Sequence, residues 1–328
     1  MFIEIVSNLH SGKLAEWKRL IGECGLSEME PASQTALLWD DDELIGTGGR
    51  DKNLIKYIAI SPQRQGEDLL STVITQLRKN AFEDGYNHLF LYTKPSNKDV
   101  FSSLFFYPIV QTDKVLFMEN KRGGIQDFIN SHPKADPNQI NGALVMNCNP
   151  FTLGHQYIIE KAASECDRVF VFVLSEDSEG FSAHDRFEMV KNGVSHIPNV
   201  SVCKTGPYLI SSATFPTYFL KDRDSASIVQ CDVDIEIFTK YFAPHFNITR
   251  RYVGTEPYSP MTEKYNQILV NKLPDANIEL RIVERKTSND VAVSASLVRK
   301  IIKNGEISLL KNYLPQTTID YLQNNKLI

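Results

Sequence analysis

The spacing of hydrophobic and polar residues divides the chain into two parts with different patterns. From residue 142 onward, short apolar runs alternate with segments whose apolar residues recur every three or four positions. The apolar runs predict strands at residues 142–146, 168–174, 200–204, 248–253 and 278–283. The helical spacing predicts helices at residues 157–166, 184–194, 214–223, 233–241, 262–273 and 296–303. This alternation predicts a Rossmann-like α/β architecture, in which a parallel sheet has helices on both faces.

The first third of the chain has a different pattern. Apolar segments at residues 36–39 and 43–46 flank three consecutive aspartates, which is a turn signal between two strands. Further strands are predicted at 54–60 and 88–92, and an amphipathic helix at 69–82. Several strands around one central helix predict an α+β unit.

The two parts meet in a segment rich in helix breakers. Gly123 and Gly124 follow two basic residues, and Pro133 and Pro137 interrupt what comes after a short predicted helix at 124–131. We therefore predict two domains, residues 1–125 and residues 126–328.

Composition excludes several classes of protein. The 328 residues suffice for two cores, and 42% hydrophobic with 23% charged residues is typical of a soluble globular protein. A net charge of -5 argues against a general nucleic-acid binder. No leader-like apolar segment or membrane-spanning run is visible, and the five cysteines form no CxxC pair. We expect a cytoplasmic protein without a metal centre or disulfide framework, and with no nucleic-acid or membrane partner.

A turn between the first strand and the first helix of the second domain carries candidate chemistry. It contains Asn149, Thr152, Gly154 and His155. The first N–H groups of a helix have no partner within the helix and the helix dipole favours an anion there, so the turn predicts a phosphate site. The Thr152 hydroxyl and the His155 imidazole add donors. Cys148 lies beside the turn, and we interpret it as a small buried residue because no histidine pair supports a nucleophile.

A second polar segment spans the start of the last of the helices predicted above. Ser294, Ser296 and Arg299 lie there, after the last predicted strand. In an open parallel sheet, ligands bind at the carboxyl ends of the strands, which is where both segments fall. Ser294 also suits a helix N-cap, a role that is compatible with phosphate binding, and Arg299 is the candidate cation.

The two segments together resemble the paired signatures of the nucleotidylyl transferase superfamily. Those enzymes promote attack on the α-phosphate of a nucleoside triphosphate and release pyrophosphate. The resemblance implies ATP as a substrate with Mg²⁺ bridging its phosphates, and a catalytic role for His155, Thr152 and Arg299. It implies phosphate contacts for Asn149, Gly154, Ser294 and Ser296.

Longer segments resemble the citrate lyase ligase family: NPFTLGH, YLISSATFPTYFLK at 208–221 and VGTEPYSPMTEKYN at 253–266. The resemblance implies that acetate attacks ATP to give acetyl-adenylate and pyrophosphate. The thiol of a dephospho-coenzyme A-type group on the citrate lyase acyl carrier protein then takes the acetyl group and releases AMP, which activates citrate lyase.

Other site residues follow from these segments. By analogy with the superfamily, the residues on the adenine or ribose side are Gly254, Thr255 and Glu256. A candidate acetate pocket comprises Ser211, Ser212, Thr214 and Lys204. Helix capping is the alternative role for the three hydroxyl residues, and Glu256 is alternatively an ordinary loop carboxylate.

The first domain resembles the GNAT acetyltransferase core. Residues 63–68, QRQGED, correspond to the loop that holds the coenzyme A pyrophosphate. Asp68 stands where that loop has a small residue, and its carboxylate would crowd and repel a pyrophosphate. We therefore favour a scaffold or docking role for this domain over acetyl-CoA binding.

Other functions are left open by the sequence. One is an adenylyltransferase that acts on a phosphate monoester, of the phosphopantetheine or mononucleotide type. Another is a nucleotide-binding regulatory scaffold without activity. A third is acetyl-CoA-dependent N-acetyl transfer by the first domain.

Overall fold

The computed structural model describes residues 1–328 except 28–29, 177–179, 210–214, 217, 221–225, 256–259, 285–286 and 289–290. The chain forms two compact units. The first consists of Met1–Gly124 and Pro216–Glu236, and the second of Ile125–Phe215 and Ile237–Ile328. The predicted division at residue 125 stays a prediction, and the sequence pattern does not indicate that Pro216–Glu236 joins the first unit.

The first unit is built on a mixed sheet. Its strands are β1 Phe2–Ser7, β2 Gln34–Asp40, β3 Glu43–Asp51, β4 Leu54–Ile60, β5 Phe90–Thr93, β6 Tyr107–Gln111 and β7 Leu116–Glu119. Its first three helices are α1 Ser11–Glu23, α2 Leu69–Glu83 and α3 Lys98–Ser103. The strand order is β1-β2-β3-β4-β5-β7-β6, and only the β4–β5 pair is parallel.

Helix α2 packs its apolar face on this sheet. Val73, Ile74 and Leu77 are buried in one cluster with Leu38 and Met118 of the strands. This confirms the predicted α+β unit around one central helix. The β2–β3 hairpin extends beyond the predicted strands, and β1 lacks a clear pattern because its residues are only partly buried or exposed.

From residue 124 onward, strands and helices alternate. The strands are β8 Asn141–Met146, β9 Arg168–Val173, β10 Val200–Lys204, β11 Ile248–Gly254, β12 Glu279–Val283, β13 Thr287–Ser288 and β14 Val291–Ala292. The helices are α4 Gly124–Asn130, α5 Leu153–Glu165, α6 Ala183–Gly193, α7 Ala226–Ile237, α8 Ala243–His245, α9 Pro260–Lys272, α10 Ala295–Lys303 and α11 Gln316–Asn324. A π-helical turn, Phe238–Phe242, joins α7 to α8.

Five of these strands form a wholly parallel sheet in the order β10-β9-β8-β11-β12. The chain proceeds outward from β8 through β9 to β10, and then crosses to β11 on the other side of β8. The point where the order reverses therefore lies between β8 and β11. In open parallel sheets, a crevice opens at the carboxyl ends of the strands at such a point.

Alternate residues of β9 show that both faces of this sheet are covered. Val169 and Val171 join the core cluster that includes residues of α5, α6, α10 and α11. On the opposite face, the Phe170 and Phe172 rings lie 4.8 and 5.1 Å from the Phe246 ring, which follows α8. The predicted fold class, an α+β unit followed by an α/β unit with a parallel sheet, is confirmed.

Two predicted helices are corrected. At 214–223, the described residues Phe215, Pro216 and 218–220 form a bend and turns. Residues 214, 217 and 221–223 of that prediction lie outside the described residues. Pro216 lacks an N–H and restricts the residue before it, which accounts for the absence of a helix among the described residues there. The helix predicted at 233–241 begins earlier, at Ala226, and gives way to the π-helical turn at Phe238.

No helix in the described ranges combines the length and apolar character needed to cross a membrane.

Candidate active site

A cleft of about 450 Å³ opens at the carboxyl ends of β8, β11 and β12. The N-termini of α5 and α10 and one side of α9 complete its walls. Its volume lies in the range of ligand pockets in proteins. Predicted site residues that line it are Asn149, Thr152, Gly154, His155, Gly254, Ser294, Ser296 and Arg299.

Thr152 and His155 form a reciprocal cap at the start of α5. The Thr152 hydroxyl oxygen accepts a hydrogen bond from the His155 backbone N–H at 3.3 Å. In return, Nδ1 of His155 accepts from the Thr152 backbone N–H at 3.1 Å. Two donors that the helix start leaves without intrahelical partners are thereby satisfied, which fixes the turn and the imidazole together.

The cap also determines which nitrogen of His155 carries the proton. A nitrogen that accepts a hydrogen bond from a backbone N–H is unprotonated, so the neutral ring holds its proton on Nε2. The side chain therefore has an N–H donor on the nitrogen that is not used by the cap. Such a donor suits a ligand oxygen on which negative charge develops.

The two predicted signatures meet in one place. Nη1 of Arg299 donates to the backbone carbonyl of Asn149, and Nη2 lies 3.5 Å from the Ser296 hydroxyl. A Cβ at Gly154 would lie 3.3 Å from the carbonyl oxygen of Val293, so the missing side chain permits this close approach. The N-termini of α5 and α10 are thus held side by side, with two sets of N–H groups at the cleft.

Ser294 is the N-cap of α10. Its hydroxyl accepts from the Leu297 backbone N–H at 3.2 Å while the residue lines the cleft. Capping and proximity to the cleft therefore coexist at this residue.

Gly180 belongs to the same cluster, although nothing in the sequence pattern distinguishes it from other loop glycines. Its φ of +111° lies in the region that L side chains rarely adopt, and a Cβ would lie 2.7 Å from Oδ1 of Asn149 and 3.0 Å from Cδ of Arg299. The next residue, Phe181, donates its backbone N–H to Oδ1 of Asn149 at 3.0 Å. The segment after β9 therefore helps to orient Asn149.

Arg186 stabilises this segment through hydrogen bonds to backbone carbonyls. The side chain is fully buried and donates to the backbone carbonyls of Asn147, Glu176 and Phe181. It connects the end of β8 to the segment after β9, which is a structural role and not one of phosphate contact.

Residues at the β11 side of the cleft are only partly described. Gly254 ends β11 and lines the cleft, and its carbonyl accepts from Nδ2 of Asn266 at 3.1 Å. Thr255 donates its backbone N–H to Val283 at 2.9 Å and is not among the lining residues. Glu256 lies outside the described residues.

Of the four residues predicted for the acetate pocket, Lys204 alone is among the described residues. Ser211, Ser212 and Thr214 lie outside the described residues. Lys204 ends the edge strand β10, where its Nζ lies 5.1 Å from the centre of the Phe187 ring, and it does not line the cleft.

Cys148 is buried beside the cleft, with 1% of its surface exposed. Burial raises the pKa of its thiol far above the usual value. A thiol that stays protonated is a poor nucleophile, which agrees with the interpretation of Cys148 as a small buried residue.

The loop at 63–68 in the first unit is also acidic in the structure. Arg64 is engaged by Asp40 and Glu67, each with an oxygen 2.7 Å from a guanidinium nitrogen. Asp68 takes a left-handed φ of +56° just before α2. The favoured role of this unit as a scaffold or docking domain, rather than as an acetyl-CoA site, stays a prediction.

The fold and the cleft first define the class of the protein: it contains an α/β unit whose parallel sheet has a cleft at its carboxyl edge, lined by two helix N-termini. The family described as "Citrate lyase ligase C-terminal domain" matches residues 141–322. The chain belongs to the citrate lyase ligase family.

Individual relatives agree with that assignment. The citrate pro-3S-lyase ligase of Escherichia coli K12 is 35% identical over 326 residues, which cover 97% of this chain and 93% of that one. The ligase of the same name from Klebsiella pneumoniae is 39% identical over 285 residues, which cover 85% of this chain and 83% of that one.

Among solved structures, a putative GNAT acetyltransferase from Desulfovibrio desulfuricans covers 36% of this chain and 98% of its own, with a TM-score of 0.30 and 11% identity.

Proposed function

We propose that this chain is an ATP-dependent, AMP-forming ligase that activates citrate lyase by acetylating its acyl carrier protein. An oxygen of acetate attacks the α-phosphorus of ATP, and the bond from that phosphorus to the bridging oxygen breaks, which releases pyrophosphate. The carrier's prosthetic-group thiol then attacks the carbonyl carbon of acetyl-adenylate. AMP leaves, and the thiol proton passes to solvent.

One observation carries the first step: the hydrogen bond between Arg299 and the Asn149 carbonyl holds two helix N-termini side by side at a single cleft. Phosphoryl transfer needs positioning and fixed positive potential more than covalent chemistry. The paired N-termini, a planar cation and the Nε2 donor of His155 supply that potential where the α-phosphate and the departing pyrophosphate would lie.

We assign the residues as follows. His155 donates to the α-phosphate oxygens as charge develops, and Thr152 holds the imidazole and adjacent oxygens. Arg299, Ser294 and Ser296 bind the phosphates that leave as pyrophosphate. Magnesium arrives with ATP, since it binds mainly phosphate oxygens and water in such sites.

The second step rests on the family alone. The Escherichia coli and Klebsiella pneumoniae relatives are named as ligases of citrate lyase, and we extend acetate, the carrier protein and its dephospho-coenzyme A-type group to this chain on that basis. Lys204, with Ser211, Ser212 and Thr214, remains our candidate for the acetate pocket.

Product analysis with ATP labelled at the α-phosphate tests the proposal. Incubation with acetate and deacetylated citrate lyase should yield labelled AMP together with pyrophosphate, and citrate cleavage should appear in parallel. Omission of acetate should stop all three. A stable labelled adduct of a phosphate-monoester acceptor, with no AMP, would instead identify an adenylyltransferase.

The enzyme class is tested by substitution at the site. Arg299→Ala should abolish pyrophosphate release, whereas Lys303→Ala, an exposed cation on the same helix, should leave it unchanged. Nucleotide binding without pyrophosphate release in the wild-type protein would point to a regulatory scaffold.

A further inference from the structure

The two ends of the cleft differ in hydrogen-bonding character. Donors gather where α5 and α10 begin: two sets of helix N–H groups and the side chains of Thr152, His155, Ser294, Ser296 and Arg299. At the end formed by β11, β12 and α9, the cleft is lined by the Glu284 carboxylate, the Asn266 carboxamide and Tyr265, whose hydroxyl accepts a hydrogen bond from Arg251. Glu284 follows β12 and is exposed, so it offers only acceptor oxygens in its ionised form.

Asn266 is the more informative of the two because it is buried, with 4% of its surface exposed. Its Nδ2 donates to the carbonyl oxygen of Gly254 at 3.1 Å. A carbonyl can only accept, so this bond fixes which end of the amide is nitrogen and which is oxygen. The acceptor Oδ1 is therefore the end that Gly254 does not use.

Oδ1 of Asn266 makes no hydrogen bond to any residue that the structure describes. Because only 4% of the surface of Asn266 is exposed, little of the side chain, this oxygen included, can reach water. Because Asn266 lines the cleft, a ligand that brings a donor to this end would satisfy the oxygen.

The chemistry of ATP matches the two ends of the cleft. Its phosphates carry acceptors and no donors at neutral pH, so they suit the α5 and α10 end and would be repelled by Oδ1. Its nucleoside carries donors, namely the adenine amino group and the ribose hydroxyls. β8 and β12 lie two strand spacings apart, about 10 Å, so one cleft gives room for both parts of the nucleotide.

We propose that Oδ1 of Asn266 accepts a hydrogen bond from the nucleoside of ATP, and that this contact selects ATP over nucleotides without the matching donor. The proposal rests on ATP being the substrate, as argued above. A site built around a buried acceptor rejects an analogue that lacks the donor, because binding the analogue leaves that acceptor unpaired.

A purely structural role is the competing explanation, in which Asn266 only holds the end of β11 through Gly254. Comparison of two substitutions separates the roles. Asn266→Leu removes the donor and the acceptor, whereas Asn266→Asp keeps an acceptor oxygen and loses the donor to Gly254. A structural role predicts that both variants weaken every nucleotide alike.

The experiment compares ATP with three analogues: purine riboside triphosphate, 2′-deoxy-ATP and 3′-deoxy-ATP. Acetate-dependent pyrophosphate release gives kcat/KM for each with the full-length protein. We expect the wild type to discriminate against one analogue by about 10- to 100-fold, and the identity of that analogue names the donor. Asn266→Leu should lower kcat/KM for ATP to the level of that analogue, and Asn266→Asp should keep the preference.

Asn271→Leu is the matched control, since Asn271 is an exposed residue of the same helix. The kcat/KM values of this variant should equal those of the wild type for all four nucleotides. Equal kcat/KM values of the wild type for all four nucleotides would overturn the inference. An equal fall in kcat/KM for all four in Asn266→Leu would also overturn it.

Equilibrium binding of the same nucleotides, measured by calorimetry, separates this inference from the proposed function. ATP binding with the same discrimination, but without acetate-dependent pyrophosphate release, would overturn the proposed reaction and uphold the role of Asn266. Failure of the wild type to bind ATP at all would overturn both. Thermal unfolding of each variant shows whether it is folded before its binding is compared.

Discussion

Arg299 donates a hydrogen bond to the backbone carbonyl of Asn149, a residue 150 positions earlier in the chain. The contact joins the helix α10 to the turn that precedes α5. The close approach of Gly154 to Val293 holds the same junction from a second side. Two segments that are far apart in sequence thereby form one wall of the cleft, which we propose binds the phosphates of ATP.

Nδ1 of His155 caps α5, whereas Nε2 is the atom that we propose donates to the α-phosphate, and a substitution can separate the two roles. His155→Asn places an amide oxygen near the position of Nδ1, so it can keep the hydrogen bond from Thr152, but it has no group at the position of Nε2. We expect an unfolding temperature within about 3 °C of the wild type. The rate of acetate-dependent pyrophosphate release should fall about 100- to 1,000-fold. Thermal unfolding and a pyrophosphate assay measure the two effects, and a near-normal rate would contradict the role of Nε2.

Arg299 is expected to act through its planar donors as well as its charge. Arg299→Lys keeps the cation but cannot contact the Asn149 carbonyl, the Ser296 hydroxyl and a phosphate in the same fork geometry. We expect kcat/KM for ATP to fall about 100-fold. Steady-state kinetics of pyrophosphate release measure this, and full activity in Arg299→Lys would show that charge alone suffices.

Gly180 is predicted to be intolerant of a side chain. Gly180→Ala forces an L residue to a φ of +111° and places a methyl group 2.7 Å from Oδ1 of Asn149. We expect the free energy of unfolding to fall by at least about 1–2 kcal/mol, with loss of pyrophosphate release. Gly22→Ala is the control, because Gly22 lies in α1 with no atom within 4 Å of the added methyl group. It should raise stability by up to about 1 kcal/mol, and denaturant unfolding measures both variants.

Cys148 should be chemically inert in the folded protein. Its burial and the raised pKa of its thiol leave almost no thiolate at pH 8. Alkylation followed by peptide mass spectrometry should modify Cys148 only after denaturation, and Cys148→Ala should retain pyrophosphate release. Loss of activity on specific alkylation of Cys148 would instead support a nucleophilic role.

The bond between α11 and α6 predicts a dependence of stability on pH. The Tyr321 hydroxyl donates to Oδ1 of Asp185 at 2.8 Å. Partial burial acts to raise the pKa of Asp185, but hydrogen bonds from Ser182 and Tyr321 outweigh it and hold the pKa below its usual value. The lowered pKa stabilises the fold above the unfolded-state value of about 4, and this stabilisation is lost as the pH falls through the folded-state pKa.

Tyr321→Phe removes the hydroxyl that donates to Asp185, and with it one of the hydrogen bonds that lower the pKa of Asp185. We expect it to lower the free energy of unfolding by about 1 kcal/mol at pH 7, with the difference shrinking below about pH 4. Denaturant unfolding at a series of pH values measures it. In the Asp185→Asn background, the loss of unfolding free energy caused by Tyr321→Phe should no longer depend on pH. If Tyr321→Phe lowers the stability of the otherwise wild-type protein equally at pH 7 and at low pH, the effect comes from packing and not from the hydrogen bond.

Much of the parallel sheet was predictable because two of its inner strands, β8 and β9, are largely buried on both faces. β8 and β9 are mostly apolar in consecutive positions, and such runs stand out against the helical spacing of α5 and α6. The strand β10 also matched its predicted limits, although it is an edge strand whose residues are only partly buried or exposed. The helix predicted at 214–223 is absent from the residues described there, because Pro216 restricts the backbone, a constraint that the apolar spacing outweighed in the prediction.

The candidate site was predictable only where residue type and position suffice. Thr152 and His155 could be found because a capping turn after a strand is a local feature. Asn266 and Gly180 could not, since an asparagine in a helix and a glycine in a loop are ordinary until their neighbours are known. Both acquire meaning from contacts with residues of other elements, Gly254 in one case and Asn149 in the other.

The sequence by itself determined the elements, the class of fold and the two polar segments at strand ends, because these depend on spacing and on local backbone chemistry. Only the tertiary structure decided that the order reverses between β8 and β11, that Arg299 reaches Asn149, and that the cleft has a donor end and an acceptor end. Those relationships are set by which strands pair and how closely helices approach, and pairing over long sequence separations leaves no periodic trace in the chain.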